Sequence, residues 1–168
     1  MSDYLALIDT HTAGPRYDVT PLFADFAAFA ELVGDLCSQL GDVEIDAVAG
    51  IDALGFILGT AVALARRVGF ITVRKGGKLP VRADTAEFVD YTGQRKALEL
   101  RKGAVKAGMR VLVVDEWIET GAQVGAAIGL IEGQGGVVAG LATINIDGNP
   151  HTRSLLERYR CFSVWYTL

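Results

Sequence analysis

Two adjacent acids, Asp115 and Glu116, end the apolar run Arg110-Val111-Leu112-Val113-Val114, and the chain continues as Trp117-Ile118-Glu119-Thr120-Gly121-Ala122-Gln123. Carboxylates accept hydrogen bonds and repel phosphates, so a pair at a strand end suits sugar hydroxyls or a metal-bound polyol. A Thr-Gly turn feeding a helix start aims several backbone N–H groups at one point, where the helix dipole also favours an anion. Acids for a diol beside amides for a phosphate describe a site for a ribose phosphate. The Gly-Lys-Ser/Thr order of a Walker loop is missing. The plainer reading of the same residues is a strand end followed by a helix cap. A second strand-end turn, Gly50-Ile51-Asp52-Ala53-Leu54-Gly55, has the form of a tight β-to-α connection. Lys75 and Lys78 flank the pair Gly76-Gly77, where lysines can be ordinary solvated charges.

The elements that must carry these residues alternate. Residues 110–114 form the most β-branched run of the chain and read as a central strand, followed by a helix over 121–132 and a strand over 137–144. A short helix over 154–158 and a strand over 162–165 complete the order. Upstream, a loose arm containing Gly14-Pro15 leads to Thr20, read as a helix cap with Pro21 in the first turn. Phe23, Phe26, Phe29, Leu32, Val33, Leu36 and Leu40 then have the spacing of one amphipathic helix. Strand 45–50, helix 56–67 and strand 70–73 have the separations of a parallel crossover. Residues 76–94 turn polar and irregular and read as a mobile lid, since long loops in compact domains are usually functional or mobile. A short strand at 98–100 follows. The alternation predicts an α/β fold, doubly wound, with a mainly parallel sheet, flanking helices and a ligand crevice at the carboxyl ends of the strands.

At 168 residues, 51% of them apolar, the chain fits one domain spanning 1–168. A charged fraction of 21% and a net charge of −4 advertise no basic face for nucleic acid. Cys37 and Cys161 are far apart, with neither CxxC spacing nor a His/Cys cluster, which points away from disulfides and zinc and toward a reducing cytoplasm. The N-terminal residues lack the pattern of a signal peptide, and polar residues interrupt every apolar run too early for a membrane span. His11 and His151 stand alone and form no metal or nucleophile constellation.

Residues Val111 to Gln123 resemble the phosphoribosyl pyrophosphate signature of type I phosphoribosyltransferases, in which two acids hold the ribose 2′- and 3′-hydroxyls and the loop cradles the 5′-phosphate. Ala49 to Gly59, then Val68-Gly69-Phe70 and Val73-Arg74-Lys75-Gly76-Gly77-Lys78-Leu79-Pro80, are similar to the adenine phosphoribosyltransferase subgroup, as is Asp18-Val19-Thr20-Pro21-Leu22. The resemblance covers most of the chain. It implies a reaction in which a purine nitrogen attacks the ribose anomeric carbon of phosphoribosyl pyrophosphate, pyrophosphate leaving through a cation-like ribosyl transition state to give a nucleoside monophosphate. It also implies purine salvage, a homodimer, and Mg2+ bound mainly through the diphosphate rather than by a metal site of the protein.

By the same resemblance, Asp115 and Glu116 take the ribose hydroxyls, and Thr120, Gly121, Ala122 and Gln123 surround the 5′-phosphate. Ala53, Leu54, Lys75 and Lys78 fall near the pyrophosphate. Glu119 stands where adenine enzymes tend to have a small residue and the hypoxanthine/guanine type places an acid that exchanges a proton with purine N7; it is the candidate general acid/base. Leu54 occupies the position of an arginine that grips pyrophosphate. Glu116 replaces the more usual second aspartate, while Ala122 and Gln123 replace a glycine and a hydroxyl residue of the phosphate cradle. Tyr17 lies where an arginine usually stands beside the base. Glu87 and Asp90 fall near a catalytic glutamate of the adenine enzymes and read as solvated lid residues. The alternative is a regulatory protein that binds a nucleotide or phosphoribosyl pyrophosphate with little or no turnover.

Overall fold

The structure, a computed structural model, describes residues 3–14 and 16–165, so Pro15 of the arm lies outside the described residues. A 3-10 turn at Asp3–Leu7 precedes α1 (Thr20–Ala24) and α2 (Phe26–Leu40), which lead to β1 (Ala47–Ile51), α3 (Leu54–Arg66) and β2 (Gly69–Lys75). The chain continues through β3 (Ala83–Val89), β4 (Arg95–Arg101), β5 (Arg110–Val114), β6 (Trp117–Ile118) and α4 (Ala122–Gly133). It closes with β7 (Val137–Ile146), α5 (Pro150–Arg158) and β8 (Cys161–Trp165).

One sheet collects the strands in the order β3-β4-β2-β1-β5-β7-β6, with β8 also pairing with β7. Parallel pairing joins β2, β1, β5, β7, β6 and β8, whereas β4 runs antiparallel to β2 and β3 antiparallel to β4. Apolar β1 and β5 sit at the centre, as strands buried on both faces must. Their side chains alternate between two cores. Val48, Leu112 and Val114 pack with Leu32, Leu36, Leu58 and Val62 of α2 and α3. Ala49, Ile51, Val111 and Val113 pack with Val124, Ala127, Ile128 and Ile131 of α4. This is the doubly wound α/β arrangement that the alternation predicted, and it gathers the carboxyl ends of β1, β2 and β5 along one edge.

Three expectations need correction. The helix expected to run unbroken to Leu40 is split at Asp25, whose backbone is extended (φ −93°, ψ 118°) and whose carboxylate accepts the Ala28 N–H at 2.9 Å. Aspartate can bond to nearby amides in this way and so favours a cap over a helix interior. Thr20 is inside α1 rather than its cap; its N–H and hydroxyl both donate to Asp18 Oδ1, at 2.8 and 2.7 Å. The segment 76–94, expected to be irregular throughout, contains β3, which pairs with β4 from Ala83↔Arg101 to Val89↔Arg95. Ala86 and Phe88 alternate inward onto the core, and this short period-2 pattern is enough for a strand when a partner lies alongside.

Candidate active site

Val114 delivers the chain to the carboxyl edge, and the next two residues stay bonded to β7: Asp115 N–H donates to Ala142 O (3.3 Å) and Glu116 O accepts the Ile144 N–H (3.1 Å). β6 then resumes the pairing at Asn145 and Ile146. Successive side chains on an extended backbone point to opposite sides, so the two acids part company. Asp115 is 3% exposed, with Oδ1 accepting the Glu116 N–H (3.1 Å) and Oδ2 accepting Gln123 Nε2 (2.9 Å). Burial, and then the charge of Glu116, push its carboxyl well above the usual carboxylate range. Gly55 makes this seat possible: a Cβ there would lie 2.7 Å from Val114 O and 3.0 Å from Asp115 Oδ1, so only glycine lets the start of α3 cross the strand end.

Glu116 and Glu119 turn instead toward the N-terminal arm. Arg16 Nε lies 2.7 Å from Glu119 Oε1 and Arg16 Nη2 3.4 Å from Glu116 Oε1, while the guanidinium carbon sits 5.2 Å from the centre of the Tyr91 ring. The Arg16–Glu119 contact is ionic rather than well directed, since Glu119 Oε1 is buried without a hydrogen-bond partner of good geometry. Burial therefore outweighs Arg16, and the Glu119 carboxyl stands above its ordinary pKa. At the start of α4, Gly121 adopts φ +78° and the Thr120 hydroxyl accepts the Ala122 N–H at 3.3 Å. A side chain at Gly121 would also lie 2.9 Å from Leu155 Cδ1 of α5.

These groups border a cleft beneath the β3–β4 hairpin. Its main cavity, about 610 Å3, has Arg16, Lys75, Glu119, Thr120 and Gln123 in its wall, with Asp90, Tyr91 and Glu99 opposite. A side cavity of about 170 Å3 is bordered by Ala53, Leu54, Glu116, Lys75, Gln123 and Arg16. Gly121 and Ala122 border a third space of about 430 Å3 against Leu155 and Val89. Asp115 lies under Gln123 and borders neither of the first two cavities. Exposed Lys78 is also outside those two walls, its N–H donating to Glu99 Oε2 at 3.2 Å.

The geometry adds residues that sequence reasoning passed over. Arg16 had no motif to mark it. Glu99 lies between the buried Leu98 and Leu100, and its carboxylate accepts the N–H groups of Gly77 (2.7 Å), Lys78 (3.2 Å) and Leu79 (3.2 Å). Those amides, that of Gly77 foremost, hold its pKa below the usual value. Asp90 is not the solvated residue expected: its side chain is 7% exposed, 2.5 Å from Lys96 Nζ, and it accepts from Thr92 and Gln94 to close the hairpin turn. Glu87 is solvated and 3.8 Å from Arg95. Tyr17 stacks on Trp165 (5.7 Å, 22°) and meets Trp117 edge-on (5.6 Å), so these rings have one another as partners.

A doubly wound sheet whose carboxyl edge carries an acid pair, an amide loop and a cation-lined turn defines a phosphoribosyltransferase-type site. No family model matches the chain. An adenine phosphoribosyltransferase of Streptococcus uberis is 42% identical over 151 residues, 88% of this chain and 87% of that protein. The adenine phosphoribosyltransferase of Thermoanaerobacter pseudethanolicus superposes with a TM-score of 0.86 at 30% identity, covering 96% of each chain. That of Giardia lamblia, solved with 9-deazaadenine, gives 0.85 at 30% identity over 96% of this chain and 94% of its own. The chain belongs to the adenine phosphoribosyltransferase family, and so to the phosphoribosyltransferase enzymes.

Proposed function

We propose that this chain transfers the phosphoribosyl group of phosphoribosyl pyrophosphate to a purine base, adenine foremost, forming the nucleoside monophosphate and pyrophosphate. The observation that carries this reading is the meeting of Glu116, the loop 119–123 and the turn 52–55 around one cleft. The ribose diol donates to Glu116, and Gln123 and Asp115 support the floor beneath it. The amides opening α4 face the 5′-phosphate, with the helix dipole adding to their field. The purine stands near Glu119, Arg16 and Tyr91. As purine N9 bonds to C1′ and the C1′–O bond to pyrophosphate breaks, the Glu119 carboxylate takes the proton from N7. Its raised pKa makes it a stronger base than an exposed glutamate. Carboxylate charge near the ring favours the cation-like ribosyl group.

Among the described residues no group of three or more His, Cys, Asp or Glu is placed to hold a metal ion. Mg2+ typically keeps several waters and binds through substrate phosphates with one or two carboxylates. Asp52 and Glu116, both on the side cavity, fit that limited role. Magnesium there would offset the charge of the leaving pyrophosphate. The same reading includes a homodimer and a cytoplasmic setting: Phe26, Ile57 and Leu64 expose apolar surface on α2 and α3, which favours association. No described helix is long and apolar enough to cross a membrane.

The test is turnover of adenine, hypoxanthine and guanine with phosphoribosyl pyrophosphate and Mg2+. Release of pyrophosphate and AMP, faster with adenine than with either oxopurine, is the expected result. Thermal stabilisation by the donor with no product from any base would instead make the chain a binding protein.

A further inference from the structure

The side cavity of the cleft sets two cations, Arg16 and Lys75, against two carboxylates, Asp52 and Glu116, and part of its positive charge comes from an unexpected element. α3 begins beside it at Leu54, and its N-cap, Ala53, makes no side-chain cap, so the first-turn amides and the positive end of the dipole lie at its rim. Leu54 adds no charge there. Asp52 is already shared, its Oδ2 lying 3.6 Å from Arg74 Nε and 3.5 Å from the Lys75 N–H. Among the residues bordering this cavity, Arg16 and Lys75 carry the positive charge. Lys75 leaves β2 next to the turn, but Arg16 comes from the N-terminal arm, where the Thr12 hydroxyl donates to its carbonyl at 2.5 Å. Its backbone is thus anchored while its side chain remains 45% exposed.

We propose that Arg16 binds the diphosphate end of the donor, supplying from the arm the guanidinium that the turn at Leu54 lacks; this rests on the donor-site reading above. The Arg16–Glu116 contact is long, at 3.4 Å, and partly solvated, so little is lost when it opens. Once ribose hydroxyls donate to Glu116, the guanidinium fork is free to turn toward two phosphate oxygens, a geometry that a lysine point charge does not reproduce. The Glu119 contact keeps Arg16 at the mouth of both cavities in the meantime. Donor binding then transfers one cation from protein carboxylate to ligand phosphate, without requiring the sheet to move.

Titration calorimetry of the full chain with Mg2+ and phosphoribosyl pyrophosphate, inorganic pyrophosphate or ribose 5-phosphate tests this. Arg16→Gln is expected to weaken both diphosphates by about tenfold or more and ribose 5-phosphate by less than about twofold, with Arg16→Lys recovering only part of the loss. Adding Leu54→Arg to Arg16→Gln is expected to restore diphosphate binding selectively. Equal weakening of all three ligands, or none, would show that Arg16 only clasps Glu119 and would overturn the proposal while leaving the donor site intact. A wild-type chain that binds no phosphoribosyl pyrophosphate would overturn the donor-site reading itself.

Discussion

Asp115 accepts hydrogen bonds from Glu116 N–H and Gln123 Nε2 in a seat almost closed to water, and burial raises its carboxyl well above the usual range. The folded chain therefore holds a proton there more firmly than the unfolded chain does. The stability this contributes is fully present below the ordinary value of 3.8 and is lost as pH rises through the folded value. Asp115→Asn removes the ionisable group, and rotation of the Gln123 amide lets Gln123 Oε1 accept from the new side-chain NH2 while the Glu116 N–H keeps its acceptor. We expect this substitution to stabilise the chain at neutral pH by about 1 kcal/mol or more, with the gain shrinking on acidification; thermal melts across pH check it. A uniform loss of stability at every pH would mean that ionised Asp115 is satisfied by its surroundings.

At the scale of elements, the β3–β4 hairpin roofs the cleft and is tied to it unevenly. Its strands are zipped from Ala83↔Arg101 to Val89↔Arg95 and seated by Ala86 and Phe88. The flanking loop depends on Glu99 and its bonds to Gly77, Lys78 and Leu79. The far turn is held internally by Asp90 and meets the arm where Tyr91 lies under Arg16. We therefore expect motion on ligand binding in residues 76–82 and 90–94 rather than in β3. In hydrogen exchange, saturating phosphoribosyl pyrophosphate is expected to slow amides of those two stretches more than the ladder amides of β3. Unchanged exchange in both stretches would make the hairpin a fixed roof. This element was hard to read because Asp84, Thr85 and Glu87 leave only Ala86 and Phe88 as inward apolar residues, too few for a period to stand out.

For the molecule as a whole, the two edges of the sheet have different work. The carboxyl edge carries the candidate site, while the amino edge is stitched by Arg110, whose N–H, Nε and Nη2 all donate to Asp46 at 2.7–3.0 Å. The Arg110 side chain, followed by its backbone N–H, lowers the Asp46 pKa to about 2. The sign is opposite to that of Asp115. A depressed value contributes stability present above 3.8 and lost as pH falls through about 2. Asp46→Asn is expected to lower the melting temperature at neutral pH, with wild type and variant converging near the acid limit; paired melts at pH 6 and in acid check it. The substitution is expected to leave donor affinity unchanged, because Asp46 precedes β1 at the edge away from the cleft.

Local pattern alone determined that this chain alternates strands and helices and that β5 is central, and it pointed to the residues after Val114 and the turn from Gly50 to Gly55 as the candidate site. Those features are written in neighbouring residues: β-branched runs, a Thr-Gly turn, and acids placed at a strand end. Tertiary structure decided the rest. An extended backbone sends Asp115 and Glu116 to opposite sides, but only the packing of α3 at Gly55 and of Gln123 selects which one is buried. Arg16 reaches Glu116 across 100 residues of chain, and Glu99 is separated from the Gly77 amide it holds by 22. No period or motif encodes such meetings, because they depend on the spatial order of strands and on where an arm folds back. The candidate site thus divides by distance: its candidate loop and Lys75 were legible from adjacent residues, whereas the placing of Arg16, Glu99 and Gln123 around them exists only once the arm folds back and β2, β1 and β5 lie side by side.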